Sequence, residues 1–132
     1  MKLIVAGSRG ITDYKVVKKH LDSLRKEINF THIVSGCARG PDQLGERYAV
    51  ENNLPCVQFP ANWELHGKSA GYIRNAEMIA YADGLLAFWD GISKGTLHAI
   101  KLVASRKEMF LRAITLEAPT PLPESNTNDY SS

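Results

Sequence analysis

Residues 34–49, VSGCARGPDQLGERYA, decide how this chain folds. An apolar strand end at Val34 and Ser35 runs into Gly36 and Gly40, and Pro41 and Asp42 then open a helix. Proline suits the first helical position, where its missing N–H would have no partner, and an aspartate in the first turn suits the positive end of the helix dipole. Strand, glycine turn and helix in that order form the repeating unit of an α/β sheet. The same turn has a second reading, in which its backbone amides are aimed at an anion such as a phosphate.

The pattern repeats on both sides of this stretch. KLIVAG (2–7) is a short β-rich run closed by glycine and predicts a buried first strand. Residues 13–28 place Val17, Leu21, Leu24 and Ile28 at helical spacing, with Lys15, Lys18, Lys19, Lys26 and Glu27 on the opposite face. THIVSG (31–36) is the second strand and residues 41–52 the second helix, with Leu44, Tyr48 and Ala49 turned inward. PCVQFP (55–60) is a third strand, residues 69–82 a third helix and GLLAFW (84–89) a fourth strand. Residues 96–105 form a last helix with Leu97, Ile100 and Ala104 inward, before a final strand in EMFLRAI (108–114). Such alternation predicts an α/β fold, a Rossmann-like three-layer α/β/α sandwich around a mainly parallel sheet.

The 132 residues are enough for one domain with its own core, here 1–116, followed by a flexible tail at 117–132 whose Pro, Ser and Asn leave little to bury. A net charge of +2 is too small to argue for a nucleic-acid binder by itself. The apolar start is too short for a signal peptide or a membrane span, so no membrane partner is expected. Cys37 and Cys56 have no metal-type spacing, which points to reduced thiols in a cytoplasmic protein. No metal and no cofactor are called for.

Right-handed crossovers bring the loops after the strands to the carboxyl edge of the sheet. Those loops are GSRG (7–10), SGCARGPD (35–42), PANWELHGKSAGYIRN (60–75) and DGISKGT (90–96). Three of the four are built from glycine, hydroxyl side chains and a cation, a combination that suits a phosphate better than an apolar ligand. Each also has a purely structural reading: Gly7, Gly10, Gly36 and Gly40 as turn residues, Thr96 as an N-cap, Trp63 as edge packing, Arg74 as the partner of Asp42 or Asp90. The long loop resists that reading most, because it spends Trp63, His66, Lys68, Tyr72, Arg74 and Asn75 between one strand and one helix. No P-loop occurs, and the acids at Glu46, Glu51 and Glu77 fall along helices, so the catalytic inventory is thin.

Taken together, GSRGITD, VSGCARGPDQLGERYA, FPANWELHGKSAGYIRNAEMI and LLAFWDGISKGTLHAI resemble the YspA-like (YpsA-related) branch of the SLOG superfamily, in order from about Val5 to Ile100. The resemblance implies a Rossmann-like fold that binds nucleotides or nucleotide-derived ligands at the loop edge, and relatives that often form homodimers. More distant relatives include the cytokinin-activating (LOG) phosphoribohydrolases and the DNA-processing protein DprA. The phosphoribohydrolase signature P-G-G-x-G-T-x-x-E finds its Gly-Thr pair in Gly95 and Thr96 and its upstream arginine in Arg74, but its glutamate position falls on Ala99. An alanine neither stabilises an oxocarbenium-like centre nor orients a water.

The expected ligand is therefore a nucleotide-like small molecule, ADP-ribose-like or a nucleoside phosphate. Its phosphates are expected at Gly7, Ser8 and Arg9, at Ser35, Gly36, Ala38, Arg39 and Gly40, and at Ser93, Gly95 and Thr96, with Lys68 nearby. Its base or ribose is expected at Trp63, Arg74 and Asn75, with Asp42 and Asp90 accepting ribose hydroxyls or bracing the loops. Two alternatives stand beside this reading. One is a nucleoside 5′-monophosphate N-glycosidase, with Arg74, Asp90 and His98 as catalytic candidates. The other, ranked lower, is DprA-like binding of single-stranded DNA through the same cations.

Overall fold

The computed structural model describes residues 1–116; the expected tail at 117–132 lies outside the described residues. Five strands, β1 (Lys2–Gly7), β2 (His32–Ser35), β3 (Cys56–Gln58), β4 (Gly84–Trp89) and β5 (Phe110–Thr115), form one sheet in the order β3-β2-β1-β4-β5. Every pairing is parallel, with Ile4 opposite both Val34 and Leu85. The chain builds outward from β1 to β3, returns across the sheet and continues from β4 to β5. The order thus reverses beside β1, and that reversal opens a crevice at the carboxyl ends of β1 and β4.

The helices follow from the sequence pattern. In α1 (Tyr14–Glu27) the Asp13 carboxylate caps the first turn by accepting from the Lys15 amide at 3.0 Å, and Val17, Leu21 and Leu24 are fully buried. In α2 (Pro41–Glu51) Gly45 lies against β1 so closely that a Cβ there would stand 2.8 Å from that of Val5. These two helices cover one face of the sheet with Leu3, Val5, Ile33, Leu86 and Phe88. The other face carries α4 (Ala70–Tyr81) and α5 (Lys94–Ala104), whose Met78, Ile79, Ala99 and Val103 pack on Ile4, Val34, Leu85 and Ala87. The result is the expected three-layer α/β/α arrangement. The alternating burial of neighbouring strand residues on the two clusters is the pleat at work.

Two local readings change. The inward face of α5 is Thr96, Ala99 and Val103, while Leu97 and Ile100 are only half-buried and Ala104 is exposed. Small residues face the sheet here because the helix lies close to it, so the larger aliphatics mislead about the phase. The long loop also has structure of its own: a four-residue helix α3 (Trp63–His66), capped by the Asn62 side chain accepting from the Leu65 amide at 3.1 Å, and a 3-10 turn at Gly67–Ser69 that runs into α4.

Candidate functional site

The loops after β1, β2 and β4 meet at the sheet edge and are bonded to one another. Ser8 is fully buried, and its Oγ accepts a hydrogen bond from the Asp90 amide at 3.0 Å, joining the loops after β1 and β4. The Asp90 carboxylate accepts from the Ile92 and Ser93 amides, both at 2.8 Å, and from Ser93 Oγ at 3.1 Å. Burial pushes the Asp90 carboxyl upward, but the backbone donors of Ser93 and Ile92 outweigh it and hold the group below the usual aspartate value. Gly40, at φ +88°, packs so near that a Cβ would be 2.9 Å from the Ser8 carbonyl oxygen. Gly7 is tighter still, with Phe88 O 2.3 Å from any Cβ.

Inside the loop after β2, Ser35 Oγ donates to Glu46 Oε2 at 2.6 Å and accepts from the Cys37 amide at 3.0 Å. Asp42 is 4% exposed and accepts from the Ala38 amide at 3.4 Å. Burial drives the Asp42 carboxyl up to about 7, against the downward pull of the Arg74 guanidinium and the Ala38 and Gly36 amides; Glu46 adds to the rise. Arg74, buried at the start of α4, donates through Nη1 to the Gly36 carbonyl and through Nε to Asn75 Oδ1 at 3.0 Å. Asn75 in turn donates to the Gly95 carbonyl at 3.3 Å. The Arg74–Asn75 pair is therefore a strut between the loop after β2 and the first turn of α5.

These loops wall a cleft of about 540 Å³. Of the residues expected to bind a ligand, Arg9, Gly36, Ala38, Arg39, Trp63, Lys68, Arg74, Asn75 and Gly95 line it. Gly7, Ser8, Ser35, Gly40, Asp42, Asp90, Ser93 and Thr96 stand behind that wall, and the bonds above make Ser8, Ser35, Asp42, Asp90 and Ser93 braces of the loops. Asp42 is a brace beneath Gly36. His98 also stands behind the lining: its ring lies 4.5 Å from that of Tyr72, burial lowers its pKa, and its Nδ1 has no hydrogen-bond partner among the described residues. Cys37, Pro60, Ala61, Gly71 and Tyr72 complete the lining. Tyr72 was legible, as a second aromatic beside a helix start; Pro60 and Ala61 carry no chemical signal.

The chemistry of the wall is one-sided. Arg9, Arg39, Lys68 and Arg74 bring four cations, and among the described residues no carboxylate lines the cleft. Trp63 and Tyr72, 52% and 44% exposed, supply two aromatic surfaces at its mouth. Among the described residues no group of three or more His, Cys, Asp or Glu is placed to hold a metal ion, and no helix is long and apolar enough to cross a membrane.

A family profile described as the YspA, cpYpsA-related SLOG family matches residues 1–66, which contain the loops after β1 and β2. The chain belongs to this SLOG family. It is also 37% identical over 107 residues to the Gene 61 protein of Mycobacterium phage D29, a span of 76% of this chain and 86% of that protein. No solved structure matches. Membership in the SLOG family points, in general terms, to nucleotide-related binding or processing.

Proposed function

We propose that the cleft binds a nucleotide or nucleotide-derived ligand without hydrolysing it. One observation carries the reading: among the described residues, four cations and two aromatics, with no carboxylate, line a pocket at the carboxyl edge of the sheet beside its strand-order reversal. The phosphates lie against Arg9, Arg39 and Lys68 and the first turn of α5 at Gly95. The base stacks on Trp63 or Tyr72. The amides of Cys37 and Ala38 already have acceptors in Ser35 and Asp42, so the loop after β2 contributes cations and shape more than amide donors.

The N-glycosidase reading loses support at three positions. Ala99 packs against the sheet, both Asp90 oxygens are engaged by its own loop, and His98 stands behind Tyr72. Glycosyl transfer to water draws on a carboxylate close to the sugar, and among the described residues the wall offers none. A cleft of about 540 Å³ suits a small molecule better than the long groove expected of a single-strand binder.

Isothermal titration of the protein with adenine and guanine nucleotides and ADP-ribose tests the reading, with chromatography of each mixture for released base. Saturable binding without free base is the expected result. A folded protein that binds none of these ligands overturns it.

A further inference from the structure

We infer that the cleft is built for a nucleotide carrying a linked diphosphate, taken up as the bare anion without a divalent cation. The inference rests on the nucleotide-binding reading and sharpens its ligand class. The cations reach the cleft from separate elements: Arg39 from the loop after β2, Lys68 from the 3-10 turn, Arg74 from α4 and Arg9 from the loop after β1. A single phosphate needs one such anchor and gains most from a bidentate guanidinium. Side chains arriving from several elements provide successive positions along an extended anion.

Arg74 does not belong to that set of anchors. Its guanidinium is fixed on the Gly36 carbonyl and Asn75 Oδ1, so two of its donors are already used to hold the wall together. Arg39 and Lys68 are different: both are exposed and reach the cleft from its rim. They are the two groups assigned here to the second phosphate.

The same wall argues against a metal-bridged phosphate. Magnesium bound with nucleotides is held by one or two protein carboxylates together with phosphate oxygens. No carboxylate lines this cleft among the described residues, Asp42 is buried behind Gly36 and accepts from the Ala38 amide, and Asp90 accepts from Ile92 and Ser93. The cations of the wall already supply the positive charge that a metal ion would bring to the phosphates, and a magnesium–diphosphate complex would add a further cation to a basic surface.

Calorimetric titration with AMP, ADP and ADP-ribose, and with the guanine equivalents, first in EDTA and then in excess magnesium, tests this. In EDTA the diphosphates should bind at least about tenfold more tightly than the monophosphates, and magnesium should weaken them or leave them unchanged. The Arg39→Ala and Lys68→Ala variants should lose more affinity for the diphosphates than for the monophosphates and so bring the two classes together. Equal affinity for both classes in the wild type, or tighter binding with magnesium, overturns the inference while nucleotide binding stands. Absence of binding by every nucleotide overturns both.

Discussion

Ser8 Oγ and the Asp90 amide, 3.0 Å apart, tie the loop after β1 to the loop after β4 across the reversal of strand order. The contact is partly buried and spans 82 positions of sequence. It fixes where the β1 loop, with Arg9, stands relative to the start of α5. Ser8→Ala leaves that amide without its acceptor and should cost about 1–3 kcal/mol of stability. Asp90→Ala, which frees the Ile92 and Ser93 amides, should cost a similar amount. Denaturant unfolding measures both, and unchanged midpoints would show that the two loops are held by something else.

Gly36 has no room for a side chain. A Cβ would stand 2.7 Å from Arg74 Nη1 and 2.8 Å from Asp42 Oδ2, so Gly36→Ala must push the Arg74 strut aside. The expected result is a loss of roughly 1–3 kcal/mol of stability together with most of the ligand affinity. Gly91→Ala is the comparison, because nothing lies within 4 Å of its Cβ and only its φ of +84° opposes the change. It should lower stability by about 1 kcal/mol while sparing the Arg74 strut.

Asp42 should make stability depend on pH. Its carboxyl titrates at about 7 in the folded chain against an ordinary 3.8, so over that interval the folded state holds a proton that the unfolded state releases. Stability therefore falls as pH rises from about 4 to about 7 and levels off above, by an amount on the order of 4 kcal/mol. Asp42→Asn should flatten that slope. Thermal unfolding between pH 4.5 and 8 checks it, and an identical slope in the variant would assign the titration to another group.

The parallel order of elements was legible because the strands are short apolar runs, the first three closed by glycine or proline, and the helices between them show a periodic apolar face. What escaped was set by proximity. Ala99 and Val103 face the sheet because α5 approaches it closely, whereas Leu97 and Ile100 are the residues that look inward on hydropathy alone. The gathering of site loops followed from topology, so the cations of the cleft wall could be named in advance. Which side chains form the surface and which brace it did not follow. Ser8, Asp42 and Asp90 are polar residues in glycine loops, like ligand groups, and only their bonds to Asp90, Ala38 and Ser93 reveal their role.

Trp63 should matter to binding and not to folding. It is 52% exposed at the mouth of the cleft, so Trp63→Ala should change stability by no more than about 0.5 kcal/mol. Loss of one stacked base should weaken nucleotide binding by about 1–3 kcal/mol. Parallel unfolding and titration experiments separate the two effects, and a variant that binds normally would move the base to Tyr72 or elsewhere.

On the proposed reading, this cleft is where the chain meets its nucleotide. Calorimetric titration of ADP into the wild type and into the Arg39→Ala/Lys68→Ala double variant, at low salt and without metal, tests it most directly. Both substitutions lie on exposed side chains, so the double variant should fold as the wild type does. The account predicts saturable binding to the wild type and a loss of at least about tenfold in the variant. Equal affinity in the two proteins, or no binding to the folded wild type, would contradict it.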